Sequence, residues 1–510
     1  MMNATLTPRT ESNPDFHAEA RTAQSRWALT PISERLRVVR ALRHGIAENA
    51  DKLAGIAASV SERPIAEKLV SEVLPLADAC RWLEKRADRV LATRRCGSRG
   101  RPFWMQGVTF EVQRQPFGLV LVIGPANYPL FLPAVHALHA LVAGNAVLLK
   151  PAPGTRHVAL AFAQLARENG LEPALLTILP ESVSAARSAI ADGVDKVIFT
   201  GSSENGRDVL ATLAETNTPS VMELSGQDAV LVFADADLDL VVRALRFGTS
   251  LNDGNTCIAP RRLIVIGNVP EQLRQFEVPE RIPSLEVPEG LRKLAGGASH
   301  RITDETRTRP GRGAGNSPVD SAVPPGRIPD GDDVRWLAPP ANFHRPSGTN
   351  GDAVPPEMRD DCIAPIPMHV VPDEAAAIAL VNSADFALGC SIFSRDVERA
   401  RELAARIKTG FVLINDLIAP TADPRMPFGG VKASGFGTTR GDEGLLEMTF
   451  PHVVAERHGR THPHFDEPAA GDAHLFSAYI RAAHGTRRFA AFRDLFRALI
   501  AKFKTKKTRP

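Results

Sequence analysis

Leu119-Val120-Leu121-Val122-Ile123-Gly124-Pro125-Ala126-Asn127-Tyr128-Pro129 leads into the apolar segment Leu130–Val142 and on to Ala146-Val147-Leu148-Leu149-Lys150. Two short apolar runs flank a longer one, with Gly, Pro and Asn between. This pattern predicts a buried strand, a loop, a helix and a second buried strand. No charged residue lies between Arg114 and Lys150, so the stretch invites a membrane reading. Pro125, Pro129 and Pro133 interrupt it, Asn127, His136, His139 and Asn145 are polar, and no run reaches the ~18 to 20 apolar residues that a span needs. The unit is therefore βαβ, and parallel strands joined in this way are covered by helices on both faces.

Outward from this unit, helical periodicity precedes it and strand–helix alternation follows. Leu36, Val39, Leu42 and Ile46, then Leu69, Val73 and Leu76, recur at helical spacing within residues 18–94. Val108, Phe110 and Val112 alternate as in a hairpin of exposed strands. Beyond Lys150 come a helix at His157–Asn169, a strand at Leu175–Leu179, a helix at Ala185–Ala191, a strand at Lys196–Thr200, a helix at Asn205–Leu213 and a strand at Ser220–Leu224. That rhythm predicts an α/β fold with a largely parallel sheet. Residues 301–360 hold ten Pro and seven Gly, which predicts irregular chain with a short strand at Val334–Leu337. Regular pattern resumes with strands at Ile366–Val371, Cys390–Phe393 and Gly410–Ile414, and helices at Asp373–Asn382 and Val397–Ile407, which predict a second α/β domain.

The chain's 510 residues call for two or three domains. Sixty-one Lys and Arg against 58 Asp and Glu is too even a balance for a protein that grips phosphate backbones, so no nucleic-acid partner is expected. Five cysteines without a C-x-x-C pair argue against a disulfide framework or zinc knuckle and for a reducing compartment. Residues 1–26 lack an apolar signal core, and Glu11, Asp15 and Glu19 are unlike a transit peptide. A cytoplasmic protein is expected.

Single residues leave their chemistry open. Cys257, in the polar loop Asn252–Pro260, is either a nucleophile or an inert small side chain. Glu223 is either a base at a strand's carboxyl end or an acid facing water, and Asn127 either a donor or a turn former. Gly201-Ser202-Ser203-Glu204-Asn205-Gly206 opens a helix where backbone N–H groups meet an anion, or is a plain turn; it is not G-x-G-x-x-G. Lys150 either bonds a ribose or caps a strand.

Together these blocks resemble the aldehyde dehydrogenase family. The matching stretches are Pro116–Gly118, Ile123–Leu130, Ala143–Ala146 with Leu149–Pro151, Phe199–Ser202, Met222–Gly226, the Cys257 loop and Pro427–Gly437, in the family's order over roughly residues 20–450. The resemblance implies an α/β fold with a Rossmann-type cofactor domain (1–97 and 117–225), a bridging and oligomerisation hairpin (98–116) and an α/β catalytic domain (226–450). It implies NAD- or NADP-dependent oxidation of a small-molecule aldehyde to its acid in a homodimer or homotetramer. Cys257 would attack the carbonyl carbon, Asn127 and the Cys257 N–H would hold the oxyanion, and Glu223 would activate the deacylating water. Lys150 would meet the adenosine ribose, Gly201 and Ser202 the pyrophosphate, Ile123 and Ala126 the cofactor groove, and Asp361 the nicotinamide ribose. No metal is implied. Pro153 stands where NAD-preferring relatives carry a glutamate, which opens the site to NADP.

Departures from the family are Asp361 and Ile363 in Asp360–Pro365, Leu224-Ser225-Gly226-Gln227 after the base, and residues 270–355. They motivate a second reading, a degenerate non-catalytic scaffold. A coenzyme A-acylating or reductive relative is a third, and Glu223 speaks against it.

Past Phe450, residues 451–486 with His452, His458, His462 and His464 predict a hydrophilic linker rather than a metal site. Residues 487–509 carry nine basic side chains against Asp494 alone. Phe489, Phe492, Leu495, Phe496, Leu499, Ile500 and Phe503 fall at helical spacing opposite Arg488, Arg493, Arg497 and Lys502, a basic amphipathic helix. It packs on its own subunit, lies peripherally on a membrane or docks a protein partner.

Overall fold

Strand β1 (Leu119–Ile123) pairs in parallel with β2 (Ala146–Lys150) on one side, and β2 with β3 (Leu176–Ile178). On its other side β1 pairs in parallel with β4 (Lys196–Thr200), and β4 with β5 (Ser220–Glu223). The short strand Gly435–Phe436 closes the sheet antiparallel to β5. Every residue of β1, β2 and β4 is buried, as two-sided helix cover requires. Each large aliphatic side chain so buried stabilises the fold by ~1.5 to 3 kcal/mol. The computed structural model describes residues 15–61, 63–276, 366–459, 462–465, 467–469 and 472–507. The expected irregular segment 301–360, the Val334–Leu337 strand, Asp361 and Ile363 lie outside them.

The helix expected after the first loop spans Phe131–Ala143 and is buried on all sides. Burial pushes His136 and His139 down to about 3, so both rings stay neutral inside it. Gly144 ends the helix with φ at 101°, a conformation glycine adopts without strain. Among the described residues no helix is long and apolar enough to cross a membrane.

A second sheet is parallel throughout. Its strands are β6 (Ala229–Val232), β7 (Arg262–Ile266), β8 (Met368–Val371), β9 (Gly389–Phe393) and β10 (Phe411–Ile414), in the order β8-β7-β6-β9-β10. The sequence reading found β8, β9 and β10 but omitted β6, β7 and the helix Leu238–Ser250 between them. The helix start was visible: Asp237 accepts the N–H of Leu240 at 3.1 Å, an N-cap.

The chain falls into two units, Met1–Arg94 with Val112–His452 and Arg95–Glu111 with Val453–Pro510. The first holds both parallel sheets and the helices Ile32–Glu48 and Leu74–Val90, where Val39, Leu42, Ile46 and Leu76 are buried. The second holds parts of a three-stranded sheet ordered Arg94–Cys96, Val108–Pro116, Thr449–Arg457, whose remaining residues belong to the first unit, together with two helices, Asp472–His484 and Arg488–Lys507. Residues 451–486 are thus no bare linker. Polar composition hid a strand end and a helix whose contacts rest on the small side chains Ala478 and Ala482.

Gly435 has φ at +105°, and a Cβ there would come within 1.9 Å of the Met222 carbonyl oxygen. Gly435→Ala should lower stability by at least about 2 kcal/mol by pushing the closing strand off β5, a loss read from chemical denaturation.

Candidate active site

The carboxyl ends of four neighbouring strands carry the candidate residues. Glu223 ends β5, Gly201 follows β4, Ile123 ends β1 and Lys150 ends β2, and the register places Thr200 beside Glu223 and Ile123 beside Lys150. The chain leaves β1 for β2 on one side and returns to β4 on the other. A crevice therefore opens at the carboxyl edge between β1 and β4, the switch point where open α/β sheets take ligands. Gly201 donates its N–H to the Glu223 carbonyl oxygen at 3.0 Å. Ser202 caps the helix Ser203–Ala214 by accepting the Asn205 N–H at 3.2 Å, which leaves that helix's N-terminus at the crevice. Gly206 packs this helix onto the sheet, for a Cβ there would sit 2.6 Å from Leu224. Lys150 is buried, and desolvation lowers its ammonium against the opposing pull of Glu181. Ala126 is half-buried.

The cysteine loop is built by left-handed turns and then tied down. Asn252, Asp253 and Gly254 have φ of 52°, 54° and 69°, and Asn, Asp and Gly are the residue types that tolerate this region. Buried Asn252 is saturated: its N–H goes to Glu67 at 3.0 Å, its amide to the Asn127 carbonyl oxygen at 3.0 Å, and its Oδ1 accepts the Lys68 ammonium at 3.2 Å. Arg63 bonds Asp253 at 2.6 Å and the Ser250 carbonyl at 3.1 Å, and Arg261 reaches the Gly254 carbonyl at 2.9 Å. Tyr128 and Thr256 share a hydrogen bond at 2.6 Å, and the Asn127 amide donates to the Asn255 carbonyl at 2.7 Å. Asn127 and the Cys257 loop are therefore in direct contact.

Gly226 brings in the third strand end. A Cβ on it would lie 2.6 Å from the Cys257 carbonyl oxygen, so the backbone just after Glu223 abuts the thiol's own residue. Asp228 continues the clamp, accepting the N–H of Arg261 at 2.9 Å through its carbonyl and that of Gly389 at 3.1 Å through its carboxylate.

The electrostatics are those of a dry pocket. Glu223 is 2% exposed, its oxygens have no backbone or charged hydrogen-bond partner among the described residues, and burial pushes its carboxyl up to about 7 against the pull of Arg440 and of the neighbouring Thr200 hydroxyl. Burial, and after it the charges of Glu223 and Asp228, raises the half-buried Cys257 thiol, while Arg440 and its own N–H pull the other way. The thiol is thus protonated at rest and attacks only as its proton leaves. Asp228 is likewise pushed up to about 7 by burial.

Sequence reading missed four residues of this pocket: Lys68, Glu72, Asp228 and Arg440. Arg440 is 3% exposed, with φ at 62°, its guanidinium 4.3 Å above the Phe428 ring and bonded to the Thr421 carbonyl oxygen. Lys68 and Glu72 pair at 3.2 Å in full burial, and Glu72 also accepts the N–H groups of Leu130 at 2.7 Å and Phe131 at 3.2 Å. Their i,i+4 spacing on a helix was the one signal, and it reads equally well as a solvated pair. Among the described residues no group of His, Cys, Asp or Glu could hold a metal ion. Asp361 lies outside those residues. The surface groove of about 480 Å³ lined by Val70, Trp82, Lys85 and Arg425 contains none of the candidates.

Two parallel sheets, one with its candidate residues gathered at a switch-point crevice beside a buried carboxylate and a loop thiol, define an α/β enzyme of the nucleotide-binding type. The chain belongs to the aldehyde dehydrogenase family, oxidoreductases acting on aldehydes: the sequence model of that family matches residues 10–294 and 353–454. The break at 295–352 overlaps most of the Pro/Gly-rich region 301–360. A 4,4'-diapolycopene aldehyde oxidase from Methylomonas sp is 31% identical over 449 residues, covering 85% of this chain and 79% of that protein. A Mycobacterium tuberculosis H37Rv protein provisionally named a succinate-semialdehyde dehydrogenase using NADP(+) is 30% identical over 454 residues, 86% of this chain and 83% of the other. The solved NAD-dependent aldehyde dehydrogenase from Sinorhizobium meliloti superposes with a TM-score of 0.68 at 25% identity, covering 89% of each chain.

Two outcomes test the pocket's energetics. Lys68→Met strands a buried carboxylate and should cost about 3 to 5 kcal/mol in denaturant unfolding. A carboxyl that keeps its proton to about pH 7 when folded, against an ordinary value of 4.5, contributes stability that is lost as pH rises between those values. Glu223→Gln should therefore match the parent near pH 4 and exceed it by about 3 kcal/mol at pH 8, read from melting curves across pH.

Proposed function

We propose that this protein oxidises an aldehyde to its carboxylic acid with NAD or NADP, through a thiohemiacetal and then a thioester on Cys257. The observation that carries the reading is Glu223: a buried carboxyl without an ion-pair partner, pushed up to about 7, electrostatically coupled to a loop thiol. A general base works best when its affinity for the proton matches the working pH.

Cys257 gives up its proton to solvent as its sulfur bonds the carbonyl carbon, and the resulting oxyanion is held by the Asn127 amide and the Cys257 backbone N–H. For this the Asn127 amide points its second hydrogen at the oxyanion, its first being used on Asn255. When bound, the dinucleotide supplies the hydride acceptor. Lys150, Gly201 and Ser202 with the helix N-terminus, and the backbone at Ile123 and Ala126 would hold it, and the family resemblance assigns its nicotinamide ribose to Asp361. The crevice residues fit that group, since a buried ammonium and a helix N-terminus are what a ribose and a pyrophosphate require. Glu223 then takes a proton from water as the water's oxygen attacks the thioester carbonyl. The C–S bond breaks, and the acid leaves with the thiol restored.

Hydrolysis rather than transfer to coenzyme A follows from Glu223, which an acyl-transferring enzyme does not need. Pro153 leaves no carboxylate against a 2′-phosphate, so both nucleotides are accepted. The protein works in the cytoplasm as a homo-oligomer.

A panel spanning long apolar aldehydes and short semialdehydes, assayed with NAD and NADP, tests this. Reduced nicotinamide should form, and Cys257→Ser should lower kcat at least about 10³-fold. Asn127→Ala should lower it ~10² to 10³-fold. Glu223→Gln should accumulate a thioester visible by mass spectrometry. Silence with every aldehyde would favour the scaffold reading.

A further inference from the structure

The second unit ends in a helical hairpin, Asp472–His484 and Arg488–Lys507, joined by Gly485-Thr486-Arg487. The two helices meet through small side chains: Ala478 and Ala482 on one, Ala491 and Ala498 on the other, are all buried. That seam uses one side of the second helix. Phe489, Phe492, Phe496, Leu499 and Ile500 occupy a different side, at spacings of three, four, three and one, and all are exposed, Phe489 at 95% and Phe496 at 65%. On the first helix Phe476 and Ile480, four residues apart, are exposed as well. Leu495, read from sequence as part of the Phe stripe, is half-buried and lies on the alanine side.

Basic residues border the stripe. Arg493 and Arg497 are exposed one position C-terminal to Phe492 and Phe496, and the sequence adds Arg488, Lys502, Lys504, Lys506 and Lys507 to the same helix. Nine basic residues against Asp494 alone make this segment the most cationic of a chain that is otherwise net acidic.

We propose that this hairpin docks the protein peripherally on an anionic lipid bilayer, with the Phe stripe at the acyl boundary and the flanking Arg and Lys among the headgroups. Charge selects this occupant. A second copy of the same face would bring two strongly cationic surfaces together, which like-charge repulsion opposes. The seam with its own subunit is already filled by alanines. A bilayer rich in acidic headgroups satisfies both features, since apolar burial and roughly 1 kcal/mol per basic residue near the surface act together. The helix lies on the surface and does not cross it, being too charged to enter. The proposal stands independently of the catalytic reading.

The test is co-sedimentation of the full-length protein with vesicles of phosphatidylcholine alone and of phosphatidylcholine containing about one-third phosphatidylglycerol. Binding should be strong only to the anionic vesicles and fall at least tenfold at high salt. Phe492→Ser with Phe496→Ser, and separately Arg493→Glu with Arg497→Glu, should each weaken binding at least tenfold. Both pairs are exposed, so far-UV circular dichroism and aldehyde oxidation should be unchanged. Equal binding to neutral vesicles, no binding to either, or full binding by both variants would overturn the proposal. So would an oligomer that dissociates in the Phe variant while vesicle binding persists, for then the face is an interface between copies.

Discussion

The buried ion pair of Lys68 and Glu72 holds the pocket together. Two charges in full burial cost several kcal/mol each to desolvate, and their mutual attraction together with the hydrogen bonds they take from and give to the loops offsets that. Glu72 takes the N–H groups of Leu130 and Phe131, orphan donors at the start of the Phe131–Ala143 helix, where a carboxylate is also favoured by the helix dipole. Lys68 takes the Asn252 side chain, which in turn holds the Asn127 carbonyl. One pair from the outer helical layer thus fixes both the loop that presents Asn127 and the loop that presents Cys257. Their relative position rests on this chain of bonds together with the direct Asn127–Asn255 and Tyr128–Thr256 hydrogen bonds.

Glu223 is treated in the opposite way. Its oxygens are as buried as those of Glu72, yet no backbone N–H or ion-pair partner meets them among the described residues, only the neighbouring Thr200 hydroxyl. An under-satisfied buried carboxyl costs stability, and such exceptions gather where function needs them. The same burial that raises Glu223 also raises Cys257, and Arg440 moderates both from a position stacked on Phe428. The pocket therefore holds a protonated thiol and a carboxyl poised near neutrality without committing either charge in advance.

Much of this was legible and some was not, for physical reasons. The first sheet announced itself because strands buried on both faces must be continuously apolar, and Leu119–Ile123 and Ala146–Leu149 are. Strands β6 and β7 satisfy the same rule, but the Ala229–Val232 run sits so soon after the Glu223 strand that it reads as its continuation. Helical phase revealed the Phe stripe of the last helix, while the alanine seam, made of residues that pack by being small, gave no signal. Arg440 could not be found by any local rule: a buried arginine with φ at 62° contradicts both burial and backbone preference for its type. Lys68 and Glu72 were visible as a pair, but their burial depends on loops more than fifty residues away in sequence.

The same logic explains which departures from the family block this chain tolerates. In Leu224-Ser225-Gly226-Gln227 two positions differ from the usual Leu-Gly-Gly-Lys. Ser225 is used through its carbonyl oxygen, which accepts the Ser434 hydroxyl at 2.8 Å, and Gln227 through its carbonyl, which accepts from Arg262 at 3.3 Å. Backbone oxygens survive any substitution, so those side chains are free to vary. Gly226 is used through the absence of a side chain: a Cβ would meet the Cys257 carbonyl at 2.6 Å and Asp228 at 2.7 Å. No neighbour could give way there, because one is backbone and the other is clamped to Gly389. The glycine is kept where the thiol's loop must touch the base's strand, and variation is confined to positions where only the main chain matters.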